Sequence, residues 1–279
     1  MRYAFYPGCS AKGTCPELYQ STIKLAKRLE IELAELTSAS CCGAGVIAEA
    51  DPILALAINA RTFAQAERMG VDIIMTICGT CQGVMYEANK RLKEDEKLLE
   101  EVNRIIEKDG GGRYNLGVEI KHLQWIMTDG IMLERLRETM KTSSLHGIKI
   151  APFYGCHILR PSVELGFDDP EKPESLKKII EALEGIYIEY PGMLKCCGFP
   201  IILENEDIAL QMIGKNLLEA KDRGADIVVT PCPLCHMNLD IYQKRAEKRM
   251  GIMLDLPILH LSQMLCMVSG LEDQAGLQL

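Results

Sequence analysis

Residues 41–81 read CCGAGVIAEADPILALAINARTFAQAERMGVDIIMTICGTC, and residues 196–235 read CCGFPIILENEDIALQMIGKNLLEAKDRGADIVVTPCPLC. Both stretches begin Cys-Cys-Gly, run through an amphipathic segment to a glycine (Gly70, Gly224), and continue into a β-rich run, VDIIMTI or ADIVVTP, closed by C-x-x-C. Upstream, AFYPGC ends at Cys9 and APFYGC ends at Cys156. Thirty-one residues separate Cys9 from Cys41 and thirty-nine separate Cys156 from Cys196; thirty-five lie between Cys42 and Cys78, and thirty-four between Cys197 and Cys232. Five cysteines in one order with nearly one set of gaps mark an internal duplication.

Each copy reads as strand, cysteine turn, helix, strand, Cys-Cys-Gly loop, helix, strand, C-x-x-C, helix. The helices rest on apolar spacing, with Ile53, Leu56, Ala57 and Ala60 in the first copy and Ile208, Met212, Leu217 and Leu218 in the second. Gly70 and Gly224 fit as terminators before the next strand. Strands alternating with helices imply an α/β fold with parallel sheets, two repeated domains related by a pseudo-twofold duplication. Lys90–Lys108 reads as one charge-laced helix, rich in Glu and Lys at exposed spacing, whose charges form a solvated face. Gly110, Gly111 and Gly112 then break the chain, and a β-like piece at Val118–Leu123 precedes the second copy. The expected division is 1–110 for the first cysteine-rich domain, 111–147 for a connecting segment and 148–279 for the second domain. The tail after Gly270 is expected to fray.

Composition limits the function classes. A formal charge of −8 argues against nucleic acid and against an anionic membrane surface as partners, and 48% apolar residues suffice for a proper core. The longest apolar stretches, Pro52–Ala57 and Ile73–Ile77, are too short to span a bilayer. MRYAFYPGC carries one basic residue and no secretory pattern, so a soluble, cytoplasmic chain is expected. Twelve cysteines in a reducing compartment point to metal binding or redox chemistry rather than disulfides.

A structural zinc takes four ligands, commonly two separated pairs. Each copy here offers a C-x-x-C, an adjacent pair and a fifth cysteine. Neighbouring cysteines point in different directions and suit an extended multi-iron cluster better than one small ion; a plain cubane needs only four thiolates. Thiolate-only ligation leaves iron–sulfur and zinc both open from spacing alone. All ten cysteines fall at carboxyl ends of strands or at helix starts, where open α/β sheets bind ligands and helix dipoles favour anions.

These motifs resemble the CCG cysteine-rich domain family, and KCCGFP and CPLCHMNLD are similar to the B subunit of heterodisulfide reductases. The resemblance covers nearly the whole chain. It implies two noncubane [4Fe-4S] clusters, one on Cys9, Cys41, Cys42, Cys78 and Cys81, the other on Cys156, Cys196, Cys197, Cys232 and Cys235. It further implies a catalytic subunit that cleaves a disulfide between the clusters, such as the coenzyme M–coenzyme B heterodisulfide, or oxidises thiols in reverse. The implied partners are a ferredoxin-type C subunit and a flavin-bearing A subunit, since no ferredoxin run or flavin motif occurs here. Related readings are a sulfur-oxidising complex acting on protein-bound lipoyl or persulfide sulfur, and an iron–sulfur electron-transfer subunit of a respiratory dehydrogenase. A zinc-stabilised assembly protein is a third class.

His157 and His236 directly follow cluster cysteines and are candidate proton donors, with packing roles as the alternative. Lys12, Lys195 and Arg160 sit beside cluster cysteines and could meet an anionic substrate or form surface salt bridges. Cys15 has no counterpart in the repeat and Cys266 lies on an apolar helix; both read as core cysteines. Gly43–Ala48 matches G-x-G-x-x-A with Glu67 downstream, but the second copy has lost the pattern and the motif follows a cysteine loop, so nucleotide binding is not expected.

Overall fold

The computed structural model describes residues 1–139 and 145–271; the tail beyond Gly270, apart from Leu271, lies outside them. The first copy runs β1 (Arg2–Tyr6), α1 (Cys9–Gly13), α2 (Pro16–Arg28), β2 (Glu32–Glu35), α3 (Val46–Ala50), α4 (Pro52–Arg68), β3 (Ile73–Thr76), α5 (Gly79–Glu94), α6 (Glu96–Lys108), β4 (Glu119–His122), α7 (Leu123–Met127) and α8 (Gly130–Thr139). The second runs β5 (Lys149–Pro152), α9 (Ser162–Leu165), α10 (Ser175–Ala182), β6 (Ile186–Tyr187), α11 (Glu206–Asp222), β7 (Ile227–Thr230), α12 (Pro233–Ile241), α13 (Gln243–Met250), β8 (Ile258–His260) and α14 (Leu261–Val268).

Two four-stranded parallel sheets result, ordered β2-β1-β3-β4 and β6-β5-β7-β8. The central strands are continuous apolar runs buried on both faces, such as IVVT of β7, as a helix-covered parallel sheet requires. The edge strands β2 and β6 are short and only partly buried. β4 falls in the stretch 111–147 and completes the first sheet, just as β8 completes the second. In each sheet the chain crosses over its first strand, which opens a crevice at the carboxyl ends of β1 and β3, or of β5 and β7.

Local chemistry accounts for the helix ends. The Asp51 carboxylate accepts from the N–H groups of Ile53 (3.1 Å) and Leu54 (3.0 Å) and Pro52 opens α4, while Asn205 caps α11 through the Ile208 N–H at 3.1 Å. Gly70 and Gly224 follow these helices at φ 64° and 78°, the left-handed stop expected of them.

Two expectations change. The helix anticipated over Lys90–Lys108 is broken at Asp95, whose extended backbone ends α5 and whose carboxylate starts α6 through the Leu98 N–H at 3.0 Å. α6 turns its charged residues outward, as the solvated face requires, and buries Val102, Asn103 and Ile106 on the other side. In α11 the inward face is Ala209, Leu210, Ile213, Leu217 and Ala220, whereas Ile208 is 49% exposed and Met212 half-buried. Close approach of α13 sets that face: a Cβ on Gly214 would run into the Met250 sulfur.

The halves are not independent beads. Each of the two apolar core clusters draws residues from both copies. α14 of the second copy packs on α2 of the first, joined by a buried hydrogen bond between Ser21 Oγ and Ser262 Oγ at 2.7 Å. α7 meets α10 in the reciprocal place, where Gln124 Nε2 donates to Ser175 Oγ at 2.5 Å. His260 caps α14 with Nδ1 and reaches the Ile77 carbonyl with Nε2 at 2.9 Å.

Candidate metal centre

The five cysteines of each copy gather in the crevice at the carboxyl ends of its strands. Cys9 begins the helix after β1, Cys41 and Cys42 lie in the loop after β2, and Cys78 is the N-cap of α5 after β3. In the second copy Cys156 lies in the turn after β5 with no helix starting there, Cys196 and Cys197 lie in the loop after β6, and Cys232 is the N-cap of α12. Burial is graded alike in both: Cys9 and Cys41 are exposed and Cys156 and Cys196 half-buried, while Cys42, Cys78, Cys81, Cys197, Cys232 and Cys235 are buried.

The sulfurs do not converge on a point. In the first set Cys9 Sγ lies 3.8 Å from Cys41 Sγ and Cys42 Sγ lies 3.6 Å from Cys81 Sγ. Side-chain hydrogen bonds join Cys41 to Cys42 and Cys81 to Cys78. The second set runs Cys156, Cys196, Cys197, Cys235, Cys232 in the same manner. Cys78 Sγ and Cys232 Sγ then meet at 3.9 Å across the two halves, so ten sulfurs form one continuous run. Among the described residues, no three sulfurs of either set lie mutually within 4.8 Å. One tetrahedral ion would need four within about that distance, so a strung-out, all-sulfur donor set fits an iron–sulfur cluster with several metals better than a single zinc.

Hydrogen bonding along the run sorts the protons. Cys42 is pulled down to about 4 by its hydrogen bonds with Cys41 and Cys81, and Cys196 to about 2 by those with Cys156 and Cys197. Cys232 is lowered by bonds from Cys235 and Cys78. Their partners shift the other way: Cys9, Cys78, Cys81, Cys156 and Cys235 are raised, first by the neighbouring sulfur and then by burial, and Cys197 rises to about 12 through Cys196. The lowered thiols of each set are thereby biased toward the thiolate form that ligates soft metal.

The supporting backbone is built to fit sulfur. Gly43 and Gly198 adopt φ 81° and 90°, and each N–H donates to the first sulfur of its Cys-Cys pair, at 3.5 Å to Cys41 and 3.4 Å to Cys196. Gly8 and Gly155 pass so close to the C-x-x-C that an added Cβ would lie 3.2 Å from Cys81 Sγ and 3.1 Å from Cys235 Sγ. Asn59, Asn216 and Asn238 hold the loop carbonyls of Cys42 (2.9 Å), Cys196 (3.0 Å) and Cys197 (2.7 Å). None of these supports was singled out from sequence, although the glycine before Cys9 and before Cys156 is a visible repeat signal in PGC and YGC. A cleft of about 190 Å³ opens over the first set, lined by Cys9, Cys41, Cys42, Cys78 and Cys81 and faced by Phe199, Pro233 and Leu234 of the second copy.

The neighbouring polar residues divide. His157 is exposed and close enough to Cys196 to help lower it. His236 is buried and held neutral, lowered to about 4 by desolvation. Lys12 pairs with Glu35 and lies over the Tyr19 ring, and Lys195 pairs with Glu219 at 2.9 Å. Arg160 donates to the carbonyls of Pro170 (3.1 Å) and Leu194 (3.4 Å). Cys266 is fully buried and donates to the Ser21 carbonyl at 3.1 Å. Glu67, the acidic residue of the dinucleotide-like pattern, instead accepts the N–H groups of Asn115 (2.9 Å) and Gly117 (2.7 Å), a role in holding the loop before β4.

Comparison with known proteins agrees with this architecture. The family described as "Cysteine-rich domain" (CCG) matches residues 3–86 and 150–240. The chain is 36% identical to the 8-methylmenaquinol:fumarate reductase membrane anchor subunit of Wolinella succinogenes, covering 96% of this chain and 92% of that one. It is 30% identical to the B subunit of the ferredoxin:CoB-CoM heterodisulfide reductase of Methanosarcina mazei, covering 99% of this chain and 92% of the relative. A hypothetical protein from Helicobacter pylori of known crystal structure shares the fold, with a TM-score of 0.78 at 16% identity; it matches over 99% of this chain, which spans 51% of that longer protein. No helix among the described residues is long and apolar enough to cross a membrane.

Proposed function

The chain belongs to the CCG cysteine-rich domain family, and on that premise we propose that it is the B-type subunit of a heterodisulfide reductase-like complex, carrying one noncubane [4Fe-4S] cluster on each five-cysteine set. The observation that carries this reading is the continuous run of ten sulfurs, closed at its centre by Cys78 and Cys232. Opening an S–S bond takes two electrons, and two one-electron centres sharing one wall answer that demand. When bound, such clusters supply single electrons and thiophilic iron.

The chain's own groups prepare the rest. Phe199, Pro233 and Leu234 give the cleft an apolar side that keeps water from a bound sulfur compound. The Gly43 and Gly198 N–H groups hold the outer sulfurs and stabilise their negative charge. His157, exposed beside Cys196, is the proposed proton source for a departing thiolate; His236, buried and neutral, does not suit that task. The proposed substrates are a small mixed disulfide such as the coenzyme M–coenzyme B heterodisulfide, or lipoyl or persulfide sulfur in the oxidative direction. Electrons are proposed to arrive through a ferredoxin-type C subunit and a flavin-bearing A subunit, in the cytoplasm, where thiols stay reduced.

A second reading is favoured by the Wolinella relative, whose name joins it to quinol oxidation and fumarate reduction. The two clusters would then relay electrons within a respiratory complex without touching a disulfide. Anaerobic purification with metal counts and paramagnetic resonance separates the cases. The first reading expects roughly eight irons per chain and a new signal when the oxidised protein meets a thiol of the heterodisulfide pair. Roughly eight irons, no thiol-dependent signal and reduction by a naphthoquinol would select the relay. Zinc in place of iron on each set would overturn both.

A further inference from the structure

The sulfur run leaves one reactive cluster unused, and it lies where the two copies differ. Cys15 follows Cys9 by six residues with no counterpart in the repeat. His236 stands where the first copy has Gln82, each directly after the last C-x-x-C cysteine. Both side chains serve the sheet alike: Gln82 Nε2 donates to the Ile120 carbonyl at 3.1 Å, and His236 bonds the backbone of Ile258, the matching residue of β8. The imidazole, unlike the amide, has a second nitrogen with a lone pair.

That nitrogen is Nδ1. It is buried with no hydrogen-bond partner, on a residue only 6% exposed. Ligand atoms of His236, Cys15 and Glu17 lie within 4.8 Å of one another, a thiol, a carboxylate and an imidazole from opposite halves of the chain. Cys15 is 3% exposed and caps α2; Glu17, half-buried in the first turn of α2, hydrogen-bonds to it. Asp240 sits one turn beyond His236 on α12, close enough to Cys15 and Glu17 for the charges to be felt. A tetrahedral zinc site spans ligand–ligand distances of roughly 3.3–3.8 Å, given bonds of about 2.0–2.3 Å, so a modest contraction closes this one. A histidine whose other ring N–H is tied to a backbone carbonyl is the form that metals select.

We propose that Cys15, Glu17 and His236 form a zinc site, with Asp240 or a water in the fourth position, clamping the start of α2 in the first copy to α12 in the second. Loading it exchanges the Cys15 thiol proton for a Zn–S bond, with one proton released and no change in oxidation state. The clamp lies immediately behind Cys235, so it steadies the inner end of the second sulfur set without belonging to it.

The test uses the full chain purified anaerobically with its clusters, from zinc-supplied cells. Metal analysis should give about one zinc beside the iron, and zinc-edge absorption should show one sulfur at about 2.3 Å with nitrogen or oxygen neighbours at about 2.0–2.1 Å. Glu17→Ala and Cys15→Ala should each cut zinc affinity by about tenfold or more with the iron count unchanged. If Cys15→Ala does not fold, the Glu17→Ala result decides, because that side chain is half-exposed. Absence of zinc from iron-loaded protein, zinc retained undiminished in the variants, or a four-sulfur shell would overturn the proposal. The last outcome would also count against the cluster reading, whereas zinc absence with full iron would leave that reading standing.

Discussion

Gly8 offers a direct test of whether each five-cysteine set holds its own cluster. Its backbone stands at φ 81°, ψ 162°, a region essentially reserved for glycine. A Cβ there would lie 3.2 Å from Cys81 Sγ, where ordinary contact begins near 3.4 Å. Gly8→Ala therefore combines backbone strain of roughly 1–3 kcal/mol with displacement of one ligating sulfur by a few tenths of an ångström. Gly45 supplies the control. It has φ 77° and ψ −116°, equally unfavourable to alanine, yet nothing stands within 4 Å of its added Cβ. Both variants should lose stability by a few degrees of melting temperature. Only Gly8→Ala should lose metal, falling from roughly eight irons to roughly four, with the signals of one cluster missing. Gly155→Ala, facing Cys235 Sγ at 3.1 Å, should remove the other half. Full iron in Gly8→Ala, or equal loss in Gly45→Ala, would refute the assignment of a separate cluster to each set.

Ser21→Ala and Ser262→Ala each remove the buried bond across the halves while the remaining hydroxyl keeps its other partners, Leu18 for Ser21 and His260 for Ser262, so each should cost about 0.5–1.5 kcal/mol; a denaturant double-mutant cycle should return a coupling of about 0.5–1.5 kcal/mol, and zero coupling would mean the contact carries nothing. His122 and His260 are lowered to about 4 and about 3, chiefly by burial, so both stay neutral when folded while the unfolded chain takes up protons below about pH 6.5. Stability from them is complete above pH 6.5 and drains as pH falls toward 4 and 3, roughly 3 kcal/mol for His122; urea titrations of His260→Gln should show a flatter slope across that window, and an unchanged slope would contradict it. Thr80 Oγ1 lies 3.8 Å from Cys232 Sγ across the halves. Removing that donor in Thr80→Val should lower the potential of the second cluster alone by roughly 20–65 mV, read by redox titration, and a shift confined to the first cluster would exclude the contact.

The duplication was legible because an all-thiolate donor set leaves ten cysteines in one order with nearly one set of gaps in both copies. The central strands were legible for a related reason: a strand buried on both faces, such as IIMT or IVVT, tolerates only apolar or small side chains. The inward face of α11 was not legible, since Ala209, Gly214 and Ala220 mark it by smallness, whereas periodicity counts large residues such as Ile208 and Met212. The break at Asp95 was hidden for another reason: the residue that ends α5 is charged like its neighbours, and only its backbone shows it capping α6. Nothing local announces that Cys78 would meet Cys232, because contacts over 154 residues depend on how two separately readable halves dock.

Burial along the sulfur run indicates how such a pair of sites would work together. The outer cysteines of each set, Cys9 with Cys41 and Cys156 with Cys196, reach solvent or half reach it, while Cys78 and Cys232 are buried where they meet, Cys78 at the inner wall of the cleft. Solvent exposure is therefore greatest at the ends and coupling at the centre. A sulfur compound or a partner protein can approach either set, but charge placed on one is felt by the other through a dry sulfur contact, where electrostatic interaction is least screened. That arrangement requires the halves to keep a fixed separation, because a shift of one or two ångströms would part Cys78 from Cys232. The reciprocal α2–α14 and α7–α10 contacts hold it symmetrically. Cys15, Glu17 and His236 add a third tie on one side only. Divergence at those positions leaves the two sets alike in ligands and unlike in rigidity, which gives two chemically matched centres a means of holding different potentials.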